Sequence, residues 1–267
     1  MTDNKLVGPV TAPVLLKSHQ EIISRFRKLK LNGFAGELEE QFSAPQIFNE
    51  LPFEKRIEKM LDTQELYRQN ARFKTLYNRS NLTMKVYLSQ LKPNPKKGLN
   101  AEDLAMLAET SYIQKNINII ISGPSGVGKS TVAAAAMMSA LQHGLPSIFF
   151  RMCDLRTQLE NMDDSAFALF KKKIFNTALV AIDDYGVIAL DDVCAVRLYE
   201  MIDIHYQRGS IIVTSQLKKR NLKECIPQGP IKDAVYDRLF RNCDKEIILE
   251  GLSWRGSSDE IKGVPNV

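Results

Sequence analysis

Gly123-Pro124-Ser125-Gly126-Val127-Gly128-Lys129-Ser130 fits the pattern G-x-x-x-x-G-K-[ST]. Each fixed position has a chemical reason. The glycines accept backbone angles that turn successive N–H groups inward toward phosphate oxygens, and a helix starting at the lysine adds its positive end. The Lys129 ammonium is expected on the β- and γ-phosphates of ATP and the Ser130 hydroxyl on Mg²⁺, with Thr131 following them into the nucleotide site. An apolar run, INIIIS, precedes the loop and an Ala-rich helical run follows it. That context separates a phosphate-binding loop from a glycine-rich turn that binds nothing.

A metal-nucleotide site also needs carboxylates from a neighbouring strand. Leu179-Val180-Ala181-Ile182-Asp183-Asp184 ends in two. Asp183 is the expected Mg²⁺ ligand, through water, and Asp184 the acceptor that polarises the attacking water. Hydrolysis at a γ-phosphate needs a positioned acceptor rather than a covalent nucleophile. Asp191 and Asp192, a few residues on, read as the start of a helix. A third apolar run, Ile211-Ile212-Val213, ends in Thr214-Ser215-Gln216. One of these three is expected to sense the γ-phosphate, the alternative being a plain exit from strand to loop.

The elements that must carry these residues follow from periodicity. Asn116 to Ser122, Pro146 to Phe150, Ala178 to Ile182 and Ser210 to Ser215 read as strands, and Val132 to Leu141 as a helix. Strands apolar throughout and separated by helices predict an α/β domain with a parallel sheet covered on both faces. Ahead of it, apolar residues from Leu15 to Leu38 recur at helical spacing, with Asn32-Gly33 as an interruption. A second helical pattern starts near Pro52 and runs through Phe53, Ile57, Met60, Leu61, Leu66, Phe73 and Leu76. The resulting division is a tail at residues 1–14, an all-helical module at 15–92, an ATPase domain at 99–257 and a tail at 258–267. The Pro- and Gly-containing stretch from Lys92 to Gly98 forms the boundary between module and domain.

Charge is distributed unevenly. Residues 1–100 hold 17 Lys and Arg against 10 Asp and Glu, and residues 101–267 hold 19 against 21. Arg68, Arg72, Lys74, Arg79 and Lys85 belong to a stretch, residues 66–97, that contains no acidic residue. With Phe73, Tyr77 and Tyr87 interleaved, it reads as a nucleic-acid-binding segment that pairs phosphates and stacks bases, or as an amphipathic helix with solvated lysines. No base-reading motif accompanies it, so little sequence preference is expected. The four cysteines form no C-x-x-C pair and read as reduced, buried small residues. No leader-like start and no run of about 18 apolar residues occurs, so a cytoplasmic location without membrane attachment is expected.

These residues resemble the AAA+ ATPases, in the clade of the IstB-type transposition helpers and the DnaC-type helicase loaders. The likeness rests on GPSGVGKS, the strand ending Asp183-Asp184-Tyr185-Gly186, Thr214 to Gln216, Asp237-Arg238-Leu239 and the closing Gly251-Leu252-Ser253-Trp254-Arg255. LKLNGFAGELEEQ and PFEKRIEKMLDTQELYRQNARFKTLYNRSNL are similar to the leading helical module of the IstB type, which extends the likeness over about residues 20–257.

The resemblance implies an arginine finger at Arg238, with Arg241 as the other candidate, and a γ-phosphate-reading arginine at Arg255. Two positions depart from the family pattern: Gln216 stands where it keeps Asn, and Tyr185 where it keeps Leu. After Arg255 only 12 residues remain, too few for the helical lid of many AAA+ proteins, so a neighbouring subunit is expected to complete the site. The family implies ATP-dependent self-assembly on duplex DNA, presentation of that DNA to a cognate transposase, and disassembly on hydrolysis. A helicase loader and a passive nucleotide-dependent scaffold are the alternatives. No separate carboxylate triad suited to strand transfer is present.

Overall fold

The computed structural model describes residues 15–241, 243 and 245–251. The chain divides into two compact units, Met1–Lys74 and Thr75–Val267. The first holds α1 (Lys17–Lys28), α2 (Asn32–Ser43), the single turn α3 (Pro45–Phe48) and most of α4 (Phe53–Arg79). Ile23, Ala35, Leu38 and Met60 form its core, with Phe26, Phe34, Phe42 and Ile57 packed around them.

The expected interruption at Asn32-Gly33 falls earlier in the chain. Residues 29–31 make the turn, with Lys30 left-handed at φ 59°, and Asn32-Gly33 opens α2. Gly33 is required for closeness rather than for a break, since a Cβ there would overlap the Gln64 backbone. The same approach lets the Gln64 carboxamide oxygen accept from the N–H groups of Gly33 (2.9 Å) and Phe34 (3.3 Å), satisfying two donors at the start of α2. The periodic reading of α4 needs correction too: Met60 and Gln64 are buried, whereas Phe53, Leu61 and Leu66 are exposed.

The second unit continues with α5 (Ala101–Glu109), α6 (Ser111–Gln114), β1 (Ile119–Ser122), α7 (Lys129–Gln142), β2 (Ser147–Arg151), α8 (Met152–Asn161) and α9 (Asp164–Phe175). Then follow β3 (Leu179–Tyr185), α10 (Asp192–His205), β4 (Ser210–Ser215), α11 (Pro230–Tyr236), a π-helical turn (Asp237–Arg241) and β5 (Lys245–Ile248). The strands make one sheet in the order β2-β3-β4-β1-β5, every pairing parallel. All four expected strands are present. The edge strand β5 had no expectation attached to it, because Lys245 and Glu246 break the apolar signature that marks the others.

Alternate strand residues divide the core between two faces. Ile120, Ile148, Phe150, Val180, Ile182, Ile211 and Val213 pack with side chains of α8, α9, α10 and α11. The residues between them, such as Ile119, Ile121, Phe149 and Ile212, are buried as well, and α7 lies against β2, β3 and β4 with α5 beyond it. Covered on both sides, α7 is buried from Val132 to Leu141, and its run of alanines lets it sit close to the sheet. Among the described residues no helix is long and apolar enough to cross a membrane. Of the four cysteines, Cys194 and Cys243 are buried as expected, Cys225 is half-buried, and Cys153 is exposed.

Two glycines of α2 give opposite expectations. A methyl placed on Gly36 would have no neighbour within 4 Å, so Gly36→Ala should stabilise the helical unit by about 1 kcal/mol, the ordinary helix-propensity gain. Gly33→Ala should destabilise it by about 1–3 kcal/mol despite the same gain, because the added methyl forces α2 off Gln64. Urea denaturation followed by circular dichroism checks both signs.

Candidate functional site

The loop between β1 and α7 has the backbone its glycines allow. Gly123, Gly126 and Gly128 have φ of 147°, 81° and 96°. At Gly128 nothing crowds a Cβ, so the conformation alone demands glycine, whereas at Gly123 a Cβ would also collide with the Leu249 carbonyl. That carbonyl is held in place by the Leu249 N–H bond to Ser122 O (2.7 Å) just beyond β5. Pro124 and Ser125 are exposed and Val127 is buried, so the loop is pinned from below and open above. Lys129 is buried, and its ammonium donates to the Pro124 carbonyl (2.7 Å), which keeps it inside the loop's curve. Ser130 and Thr131 follow, half-buried, in the first turn of α7.

The carboxylates come from β3, two strands away, and β4 between them supplies the link. Thr214 of β4 donates its hydroxyl to the Asp183 carboxylate and accepts from the Asp184 N–H (2.9 Å). The β3–β4 register shifts between Ile182 and Tyr185, and Asp184 is left-handed at φ 58°. This bulge aims the two adjacent side chains differently, leaving Asp183 buried and Asp184 half-exposed. Burial pushes the Asp183 carboxyl up, while hydrogen bonds from Thr214 and Ser130 oppose the shift, Asp184 adds to it, and Arg151 at the end of β2 opposes it. Ser130 and Asp183 therefore meet at the mouth of the loop. A buried carboxylate whose ionisation is disfavoured, beside a hydroxyl and below a curl of N–H groups, suits a divalent cation carrying phosphates.

Of the three polar residues closing β4, two are spent on structure. Thr214 holds the carboxylates, and Ser215 donates to the Tyr185 carbonyl (2.6 Å). Gln216 is exposed. Tyr185 is buried with its ring edge against Phe240 (5.4 Å). Asp191 caps α10 by accepting from the Cys194 N–H (2.8 Å), as a helix start requires.

Arg238 lies at the other end of the sheet. Its Nε donates to Asp203 (2.9 Å) and its guanidinium covers the Tyr206 ring at 4.7 Å, in a 510 Å³ cleft that includes Lys115, Asn118 and Gly209. These residues precede β1 and β4, whereas the phosphate loop follows β1. Asn118 fixes this corner: its amide donates to the carbonyls of Arg238 (3.2 Å) and Leu239 (3.4 Å) and its oxygen accepts from Ile211 N–H (2.9 Å). The Arg241 backbone belongs to the π-helical turn; its side chain, like the whole of Arg255, lies outside the described residues. Arg68, Arg72, Lys74 and Arg79 are exposed on α4. Spacings of four and seven residues put Arg68, Arg72 and Arg79 on one face and Lys74 on another. Lys85 lies beyond the helix, its ammonium 5.8 Å from the Tyr77 ring centroid.

Sequence reasoning missed Asn118, Arg151 and the structural duty of Thr214. An Asn interrupting INIIIS was the only local signal for the first, and the other two act through a neighbouring strand that the sequence does not show.

The chain matches the family described as IstB-like ATP binding protein over residues 24–259. It is 30% identical over 200 residues to an insertion sequence IS1162 putative ATP-binding protein of Pseudomonas fluorescens, covering 74% of this chain and 86% of that one. It is 27% identical over 243 residues to an insertion sequence IS21-like putative ATP-binding protein of Bacteroides fragilis, covering 90% and 91%. Among solved structures it is similar to DnaI (TM-score 0.52, 17% identity, 62% of this chain and 92% of that one). It is similar also to AMPPCP-bound DnaA of Aquifex aeolicus (0.51, 18%, 64% and 52%). These structural likenesses show the fold alone, a parallel α/β domain of the P-loop kind.

The buried Asp183 carboxylate gives a stability expectation with a defined sign. Its folded-state pKa is raised above 3.8, so its ionisation opposes folding at neutral pH and ceases to do so once the carboxyl is protonated. Asp183→Asn, which keeps an acceptor for Thr214, should raise the melting temperature of the nucleotide-free protein at pH 7.5, and the gain should fade as the pH falls through the folded-state pKa. Thermal unfolding at both ends of that range checks it.

Proposed function

Because the chain belongs to the IstB-like ATP binding protein family, we propose that it is an ATP-hydrolysing helper of an insertion-sequence transposase that assembles with ATP on duplex DNA and disassembles on hydrolysis. The names of its relatives tie them to insertion sequences and to ATP. In this reading the loop from Gly123 to Gly128 wraps the phosphates and Lys129 leaves the Pro124 carbonyl for the β- and γ-phosphates. Ser130 and Asp183 hold Mg²⁺, Thr131 and Arg255 complete nucleotide contacts, Asp184 accepts a proton from the attacking water, and Gln216 senses the γ-phosphate. Bound Mg²⁺ would supply charge neutralisation of the phosphates. The cell compartment that fits such a protein is the cytoplasm.

One observation carries the assembly part. Arg238 sits at the edge of the sheet opposite the phosphate loop. The four residues of β1 alone span about 10 Å at the usual strand rise, so Arg238 does not meet its own subunit's nucleotide. A finger at that place serves the nucleotide of the next copy, in a head-to-tail arrangement that repeats. Residues 15–92 form the module that contacts DNA or partner, through Arg68, Arg72, Lys74, Arg79 and Lys85, and residues 99–257 form the motor.

Assembly is measured by sizing the protein on a duplex and on a single strand, each with ATP and with ADP, at about 150 mM salt, where weak exposed charge contacts are screened. Large ATP-dependent complexes on duplex are expected. Assembly confined to single strands, or requiring a helicase, would replace this reading with a helicase loader, and assembly without phosphate release would leave a passive scaffold. Lys129→Ala and Arg238→Ala should each abolish turnover alone. Mixing the two should restore part of it, because one subunit then supplies the finger and the other the nucleotide.

A further inference from the structure

The entry edge of the sheet holds more positive charge than one arginine finger supplies. The cleft around Arg238 is also lined by Lys115, Asn116, Tyr206 and Gln207, and no carboxylate is among its lining residues. Asp203, which is not one of them, accepts from the Arg238 Nε (2.9 Å). Lys115 is exposed, and among the described residues it has no ion-pair partner. The imidazole in the cleft adds no charge: burial holds the His205 pKa below its ordinary value, and Nε2 faces the Ser210 carbonyl (3.1 Å).

The turns that carry these groups are pinned. Lys115 closes α6, whose Tyr112 and Ile113 are buried, and the Tyr112 carbonyl accepts from the Ser210 hydroxyl at the start of β4 (3.0 Å). Asn116 is left-handed at φ 54°, and the Ile117 N–H bonds back to the Tyr112 carbonyl (3.0 Å) before the chain enters β1. In the turn from α10 to β4, Gln207 is left-handed at φ 60°, a conformation uncommon for a residue other than glycine. Gly209, two residues on, lies so close to the Ala178 carbonyl that a Cβ would overlap it. Left-handed residues cost about 1–3 kcal/mol each, and such strain collects at ligand sites. Two cations with the exposed carboxamides of Asn116 and Gln207, on fixed turns and with no carboxylate in the lining, make a site for an anion. Its volume of 510 Å³ admits phosphate groups.

We infer that Lys115 is a second trans-acting residue: together with Arg238 it contacts the terminal phosphates of the ATP bound by the next copy of the chain. The inference rests on the proposed head-to-tail assembly. As the water oxygen bonds to the γ-phosphorus and its proton passes to Asp184, the bond to the β–γ bridging oxygen breaks and negative charge gathers on that oxygen, leaving ADP and inorganic phosphate. A guanidinium is a rigid fork suited to two oxygens of one phosphate, whereas an ammonium is a compact point charge on a flexible stem. The pair therefore covers both the transferring group and the leaving oxygen, which one arginine alone does not.

The test is ATP turnover on duplex DNA by variants alone and mixed. Lys115→Ala alone should be slower by about 100-fold, the loss expected for one charge-stabilising donor, and Lys115→Arg, which keeps the charge, should retain most of the rate. Mixed with Lys129→Ala, the Lys115→Ala protein should regain turnover, because it keeps a working phosphate loop and its partner keeps both trans-acting cations. Mixed with Arg238→Ala it should not, because neither subunit then offers the complete pair. Wild-type turnover by Lys115→Ala alone, restoration by Arg238→Ala, or no restoration by Lys129→Ala each overturns the inference. So does intact turnover with a slope of log K against log salt for duplex shallower by about 0.9, which assigns the cleft to a DNA phosphate instead. Failure of the assembly reading shows separately, as Lys129→Ala and Arg238→Ala that do not complement each other.

Discussion

The Thr214 hydroxyl sits between two consecutive aspartates, donating to one side chain and accepting from the other's backbone. The geometry of the site depends on that link. A regular strand would send Asp183 and Asp184 to opposite faces of the sheet. The register shift on β3 and the left-handed Asp184 break that alternation just where β3 ends, at a cost of about 1–3 kcal/mol for the unfavourable backbone. The hydrogen bonds from Thr214 and Ser215 to the end of β3 hold the distortion in place. Asp183 is thereby kept buried beside Ser130 and Asp184 more open to solvent.

A parallel sheet has two chemically different edges, and this chain uses both. All strand ends with a C-terminal exit lie together, which brings the phosphate loop, the carboxylates and Gln216 to one edge through three strands that are distant in sequence. The entry edge gathers Lys115, Asn118, Gly209 and Arg238. Asn118 ties the turn bearing Arg238 to the starts of β1 and β4, so the arginine is positioned by the same sheet that positions the loop.

In the helical unit, polar side chains do much of the work of packing. Gln64 caps α2, and Gln41 bonds both the Arg56 carbonyl (3.1 Å) and the Arg56 side chain (3.0 Å). Buried amides of this kind specify a register, because a slip by one residue leaves several buried groups unsatisfied. Beyond Gln64, residues 65–72 of α4 are all exposed, the apolar Leu66 and Tyr67 among them, so apolar spacing along that stretch marks no buried face.

The sequence by itself determined the features that are local. The eight residues of the phosphate loop, the four all-apolar strands, the parallel α/β class and the Asp191 helix start are each encoded within a window shorter than about 15 residues, where spacing alone constrains the backbone. Tertiary structure decided what depends on the approach of separate segments. Gly33 looks like a break until Gln64 lies against it, and Thr214 has no visible tie to the two aspartates until β3 lies beside β4. Asn118 is an odd polar residue in an apolar strand until the Arg238 turn arrives, and β5 is invisible until β1 pairs with it. Pairing energies and exclusion by a Cβ arise only between surfaces brought together by the fold, and one stretch of sequence holds only one of the two surfaces.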